Sequence, residues 1–185
     1  MKETIFVIGG CRSGKSRYAL ELGERVSGGK KIFVATCIPH DKEMKNRVKR
    51  HQEGRSKIWS TMEVPVKISE AISEQSEKAD VILVDCLTLW ISNLLLETEE
   101  IERIEGRIAQ LTESLKNSKC TVILVSNEVG TGIVPENRIA RLFRDAAGFV
   151  NSNVAACSDK VFWMVAGIPV LVKPASGVER LQKNQ

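Results

Sequence analysis

The stretch Ile5-Phe6-Val7-Ile8-Gly9-Gly10-Cys11-Arg12-Ser13-Gly14-Lys15-Ser16 decides how this chain is read. A short apolar run of strand length passes directly into residues 9–16, which match GxxxxGK[ST], and a stretch of helical period follows. The glycines let the backbone curl until its N–H groups converge on an anion, and the helix beyond adds the positive end of its dipole. Gly9, Gly10, Cys11, Arg12, Ser13 and Gly14 would form the cradle. Lys15 would reach the β- and γ-phosphates of a nucleotide, and the Ser16 hydroxyl would ligate Mg²⁺. The plainer alternative is a glycine turn before a helix, which requires neither the Lys-Ser pair nor the strand in front.

Such a loop needs a carboxylate at the end of a second buried strand. Val81-Ile-Leu-Val-Asp85 supplies four apolar residues and then an acid, so Asp85 is the candidate partner for Mg²⁺. Many α/β strands end in Asp, and it is the pairing with the loop that gives this one a function. Working outward, 4–8, 31–35, 81–85 and 121–126 are β-rich and nearly continuously apolar, the signature of parallel strands buried on both faces. Between and after them, 15–26, 40–54, 66–78, 87–96, 101–115 and 135–156 carry helical periodicity. Strand-helix alternation predicts a mostly parallel sheet flanked by helices. Two last strands, 160–165 and 170–173, flank Ala166-Gly167-Ile168-Pro169 and predict an antiparallel C-terminal hairpin. The apolar stripe Ile101, Ile104, Ile108, Leu111 and Leu115 reads as a helix packed on the sheet, with a partner-binding helix as the alternative. The expected organisation is one catalytic domain over 1–173 and a flexible tail over 174–185.

Charge sharpens this picture. The 185 residues carry 27 Lys and Arg against 23 Asp and Glu, a net +4 that does not by itself indicate a nucleic-acid partner. Residues 41–57 hold seven basic and three acidic side chains, so this one segment equals the whole excess. A basic helix beside a phosphate loop suits a polyanionic nucleotide or its leaving pyrophosphate. It contains His51, one of only two histidines. Neighbouring cations oppose protonation of an imidazole, and a neutral imidazole can attack phosphorus. A surface histidine on a solvated basic helix is the competing reading, and it is the one favoured for His40. Five widely spaced cysteines form no CxxC pair, which favours neither a disulfide framework nor a zinc site. With no signal-peptide core and no apolar run near the length of a bilayer span, the expectation is a cytoplasmic protein with no membrane span. The guanine-reading NKxD signature of regulatory GTPases is missing.

More of the chain carries a pattern. The loop motif is followed by Ala35-Thr36, Asp41-x-Glu-Met-x-x-Arg47-x-x-x-His51-x-x-x-Arg55 and Trp59-x-Thr61-x-Glu63. Further on come Val84-Asp-Cys-Leu-Thr-Leu-Trp90, Asn127-Glu-Val-Gly-x-Gly-Ile-Val-Pro135 and Arg141-x-Phe-Arg-Asp145. From about residue 5 to 173 the sequence resembles the bifunctional adenosylcobinamide kinase/adenosylcobinamide-phosphate guanylyltransferase family of cobalamin biosynthesis. The resemblance implies a P-loop NTPase fold and two reactions. ATP or GTP phosphorylates adenosylcobinamide; GTP then donates GMP to the product, giving adenosylcobinamide-GDP and pyrophosphate. It implies that His51 carries the guanylyl group as a phosphoramidate, with Lys15 as the other catalytic residue. It also implies nucleotide contacts from Ala35, Thr36, Cys37, Gln52, Glu53, Gly54, Arg55, Glu63 and Asp85, and a homo-oligomer, plausibly a trimer. Asn127, Glu128, Arg138, Arg141 and Arg144 are candidates for the cobinamide or phosphate side; for the arginines, a solvated helix with an Arg141–Asp145 pair is an equal reading. Cys11 stands where the family commonly has a small residue, and the chain continues past the family's usual end near Lys173. The rival readings are a P-loop kinase without guanylyl transfer, and a nucleotide-binding regulatory protein; neither needs the His51 block.

Overall fold

The computed structural model describes residues 2–39, 41–53 and 55–174, without the side chains of 47, 48 and 50–53. Seven strands and six helices follow one another as β1 (Thr4–Gly9), α1 (Lys15–Arg25), β2 (Lys31–Ala35), α2 (Lys42–Glu53), β3 (Trp59–Glu63), α3 (Ile68–Ser76) and β4 (Val81–Asp85). Then come α4 (Leu87–Glu97), α5 (Ile101–Asn117), β5 (Thr121–Asn127), α6 (Arg138–Cys157), β6 (Lys160–Val165) and β7 (Ile168–Lys173). The strands form one sheet in the order β3-β2-β4-β5-β1-β6-β7. Every pairing is parallel except β6 with β7, as the sequence predicts.

The four apolar runs become the inner strands because only there are both faces covered. One face packs Phe6, Ile32, Val34, Ile82, Val84, Val122 and Leu124 against α3, α4, α5 and α6. Ile104, Ile108, Leu111 and Leu115 all enter this core, so the α5 stripe is a packing face. The opposite face is more lightly covered. Ile5, Val7, Phe33, Leu83, Ile123 and Val125 meet Ala19 and Trp59, with Tyr18, Leu20 and Leu22 of α1 alongside. Burying a side chain of this size contributes about 1.5–3 kcal/mol, so two such layers carry most of the stability. Lys31 is only 5 % exposed. Its ammonium donates to the Gly23 and Val26 carbonyls, at 2.8 and 2.6 Å, and so satisfies the C-terminal end of α1.

Three departures from expectation have a clear physical cause. β3 escapes pattern reading because Trp59-Ser-Thr-Met-Glu is an edge strand with three exposed residues, so its apolar content is low. The last helix begins at Arg138, three residues later than predicted, because the Asn137 side chain caps it by accepting from Ala140 N at 3.0 Å. β7 starts at Ile168 because Ala166 and Gly167 (φ 49° and 86°) form a two-residue hairpin turn and leave Pro169 inside an edge strand. Among the described residues, no helix is long and apolar enough to cross a membrane. His40 and all but the first residue of the expected tail lie outside the described residues.

Candidate nucleotide site

The site forms where the parallel strands end. In-register pairing sets Glu63 beside Ala35 and Ala35 beside Asp85, while Gly9 pairs with Asn127. Paired residues of neighbouring strands project to the same face, so Glu63, Ala35 and Asp85 form a row. A cavity of about 270 Å³ opens there, lined by Lys15, Ser16, Ala35, Cys37, Arg55, Glu63, Asp85 and Asn127 among others. Residues scattered over more than a hundred positions in sequence are thereby brought together.

The loop leading into α1 has the backbone its sequence predicts. Arg12 and Gly14 have φ of 55° and 86°, both in the left-handed region. Gly9 meets a different demand: a Cβ there would stand 2.7 Å from the Met164 carbonyl oxygen and from Ser13 Oγ. α1 begins with neither a side-chain cap nor an acidic residue in its first turn, so no carboxylate competes for its N-terminal N–H groups. Ser13 Oγ is buried without a partner, a polar atom facing into the cradle's own turn. Lys15 folds back on the loop and donates to the Gly10 carbonyl at 3.0 Å. The neighbouring Ser16 hydroxyl and Asp85 carboxylate line the same cavity, which fits them as the pair that would hold Mg²⁺.

Arg55 is the least conventional member. Its guanidinium lies 3.3 Å from the centroid of the Phe33 ring, and Nη1 donates to Thr61 Oγ1 at 2.7 Å. Its Nε is buried and has no acceptor among the described residues. Burial pulls its pKa down, and the negative charge of Asp85 pushes it back up. An arginine with a buried unused donor beside two acids is prepared to receive an anion's oxygen.

Thr36 is different from what was expected. It is fully buried, its hydroxyl donates to Cys86 O and accepts from Cys86 N, both at 2.8 Å, and its carbonyl accepts from Asn93 Nδ2 at 2.8 Å. Its side chain therefore braces β2 against β4 from beneath and does not line the cavity. Burial, reinforced by the charge of Asp85, pushes the Cys86 thiol up to about 11. Since the unfolded thiol ionises near 9 and the folded one near 11, this group's contribution to stability is intact below pH 9 and lost as pH climbs to 11. Denaturant titrations across pH 8–11 should show a downward limb that is shallower in Cys86→Ala.

Two of the three arginine candidates are held by the loop between β5 and α6, and the third by the segment between α4 and α5. Arg138 pairs with Glu99, Arg141 donates to the Pro135 and Glu136 carbonyls, and Arg144 donates to the Gly130 carbonyl. Glu128 bonds through its N–H to Gly9 O, at 3.1 Å, and through its carboxylate to Gly130 N. These contacts shape the loop. Arg141 bonds backwards to this loop, and no Arg141–Asp145 ion pair is present among the described residues. His51 falls in the last turn of α2; its side chain, those of Gln52 and Glu53, and all of Gly54 lie outside the described residues. Phe33, Thr61 and Leu89 also line the cavity without having been singled out from sequence. Phe33 could have been found, since it lies two residues before Ala35 and so shares its face.

A parallel sheet with a phosphate-cradling loop at its carboxyl edge, followed by Lys15 and Ser16 and faced by Asp85, defines a P-loop nucleotide-binding enzyme. The flagellar accessory protein FlaH from Methanocaldococcus jannaschii shares the fold, with a TM-score of 0.50 at 15% identity, over 92% of this chain and 78% of that one. The family model for cobinamide kinase / cobinamide phosphate guanyltransferase matches residues 5–172, and the chain belongs to that family. The bifunctional adenosylcobalamin biosynthesis protein CobP of Pseudomonas aeruginosa is 38% identical, over 90% of this chain and 95% of that protein. The bifunctional adenosylcobalamin biosynthesis protein CobU of Salmonella typhimurium is 39% identical, over 91% of this chain and 99% of that protein.

Proposed function

We propose that one domain, residues 1–173, performs both reactions of the family in the cytoplasm, using the cavity at the carboxyl edge of the sheet. The observation that carries this reading is the meeting of Lys15, Ser16, Glu63, Asp85 and Arg55 in one cavity, with Arg55 following the basic helix. In the first reaction the acceptor hydroxyl oxygen of adenosylcobinamide attacks the γ-phosphorus of ATP or GTP. The bond to the nucleoside diphosphate breaks, and the hydroxyl proton passes to solvent. In the second, a His51 nitrogen attacks the α-phosphorus of GTP and pyrophosphate leaves. The phosphate of adenosylcobinamide phosphate then displaces histidine, giving adenosylcobinamide-GDP.

Dividing guanylyl transfer into two displacements avoids direct attack of one phosphate dianion on a triphosphate, and the cations of α2 screen each approach. Residues 9–16 would hold the triphosphate, and Ala35, Cys37, Gln52, Glu53, Gly54, Arg55, Glu63 and Asp85 would hold the remainder of the nucleotide. Thr36 contributes by bracing that wall. Mg²⁺ between Ser16 and Asp85 would neutralise charge on the phosphates. Incubation with α-labelled GTP, followed by denaturation, tests the relay: label should remain on the protein in alkali and be released by acid. A protein that turns over GTP without ever retaining label would defeat it.

The family's homo-oligomeric state, a trimer, is part of the same reading and has a candidate surface. The β6–β7 hairpin ends the sheet with Val165, Ile168, Val170, Leu171 and Val172 all 46–65 % exposed. Trp163 adds a further exposed apolar ring on the same hairpin. Light scattering should give about three chain masses for the native protein and a smaller species for Val170→Asp.

A further inference from the structure

We infer that Phe33 and Thr61 are positioning residues for guanylyl transfer: by fixing the Arg55 guanidinium to β2 and β3, they anchor the C-terminal end of α2 and with it the placement of His51. The inference rests on the guanylyl-histidine reading above and adds residues that it does not use.

α2 differs from the other helices in how it is held. Of its described side chains Lys42, Lys45 and Lys49 are exposed, and none belongs to either apolar core. Met44 lines the nucleotide cavity. A helix whose described side chains lie mostly at the surface takes less from packing, so the chain that follows its C-terminal end matters more to its position. At the N-terminal end the attachment is local: Asp41 Oδ1 accepts from Met44 N at 2.7 Å within the first turn. At the C-terminal end Arg55, two residues past the helix, reaches the sheet.

That contact is well made for the purpose. The guanidinium carbon sits over the ring of Phe33, a core residue only 6 % exposed, at 3.3 Å from the ring centroid. Nη1 bonds to Thr61 on the neighbouring strand at 2.7 Å, and the attraction of Asp85 acts from the next strand but one. The ring contact and the hydrogen bond together tie the guanidinium to two adjacent strands. A planar, delocalised cation satisfies both demands at once, which a lysine could not. His51 precedes this fixed point by four residues of chain. In-line attack tolerates little error: about 1 Å of misplacement costs on the order of a hundredfold in rate. The kinase reaction needs no histidine. Loosening the anchor should therefore separate the two activities.

Thr61→Val keeps the shape and β-branching of an exposed strand residue and removes only the acceptor, so its fold is secure. Phe33→Leu keeps an apolar core residue but removes the ring. At saturating nucleotide, covalent labelling should slow about tenfold in Thr61→Val and more in Phe33→Leu, and in each variant by several-fold more than cobinamide phosphorylation slows. The result that overturns the inference is a native labelling rate at saturating GTP in both variants, including the case where only the KM for GTP rises, which would make Arg55 a binding group alone. Equal loss of both activities, with a lowered Tm, also overturns it, since that is general destabilisation. Absence of label in the native protein brings down the underlying relay and this inference with it, and is told apart by the native control.

Discussion

Lys15→Met is expected to abolish cobinamide phosphorylation, with kcat lower by about a thousandfold while the protein stays folded. Without nucleotide, and among the described residues, the Lys15 ammonium makes one hydrogen bond, to the Gly10 carbonyl 3.0 Å away, within a loop five residues back. That contact is local and partly exposed, so its loss costs about 1 kcal/mol and shifts Tm by only a few degrees. With a nucleotide in place the same ammonium faces the γ-phosphoryl group as it leaves one oxygen for another, where a fixed cation is worth far more. Removing one preorganised donor from such a site costs about 10²–10³ in rate, and a full positive charge belongs at the upper end. Methionine preserves the volume and the helix start. A phosphorylation assay on the variant, alongside a thermal melt, decides the matter: a kcat within tenfold of native would remove Lys15 from the chemistry. Covalent labelling should also drop, because the same loop holds the triphosphate for the second reaction.

Which parts of this arrangement are legible in the sequence follows from where their energy lies. The loop and the inner strands are local patterns: Gly9 and Gly14 are set by a close approach and by backbone conformation, and β1, β2, β4 and β5 by burial on both faces. Each rule acts within a few residues, so each leaves a readable mark. Asp85 is legible for the same reason, as an acid closing an apolar run. β3 is not, because an edge strand gains its place from one neighbour and need not be apolar. The service of Thr36 to Cys86 and of Thr61 to Arg55 is invisible because each is a long-range pairing fixed only when the strands align. Thr36 illustrates the consequence: resemblance brings it to the nucleotide site, yet each of its polar groups is occupied by the scaffold. Sequence identifies the neighbourhood there, and side-chain geometry assigns the role.

His51→Ala should divide the two activities more cleanly than any other substitution. Covalent labelling by GTP should disappear and adenosylcobinamide-GDP formation should drop by at least about 10⁴-fold, the scale of losing a nucleophile. Phosphorylation of adenosylcobinamide should remain within about threefold of native. Alanine is the best helix former, so α2 loses no helix propensity from the change. A structural role for the histidine would depress both activities together and lower Tm. A role in charge screening alone would be light, since the segment around it carries seven other basic residues. Only a covalent role predicts complete loss of one product beside near-native yield of the other. It predicts one thing more: added imidazole should restore part of the guanylyl transfer in His51→Ala, because the missing ring is then supplied from solution. Retention of label in His51→Ala would assign the nucleophile elsewhere, and equal loss of both activities would return His51 to the scaffold.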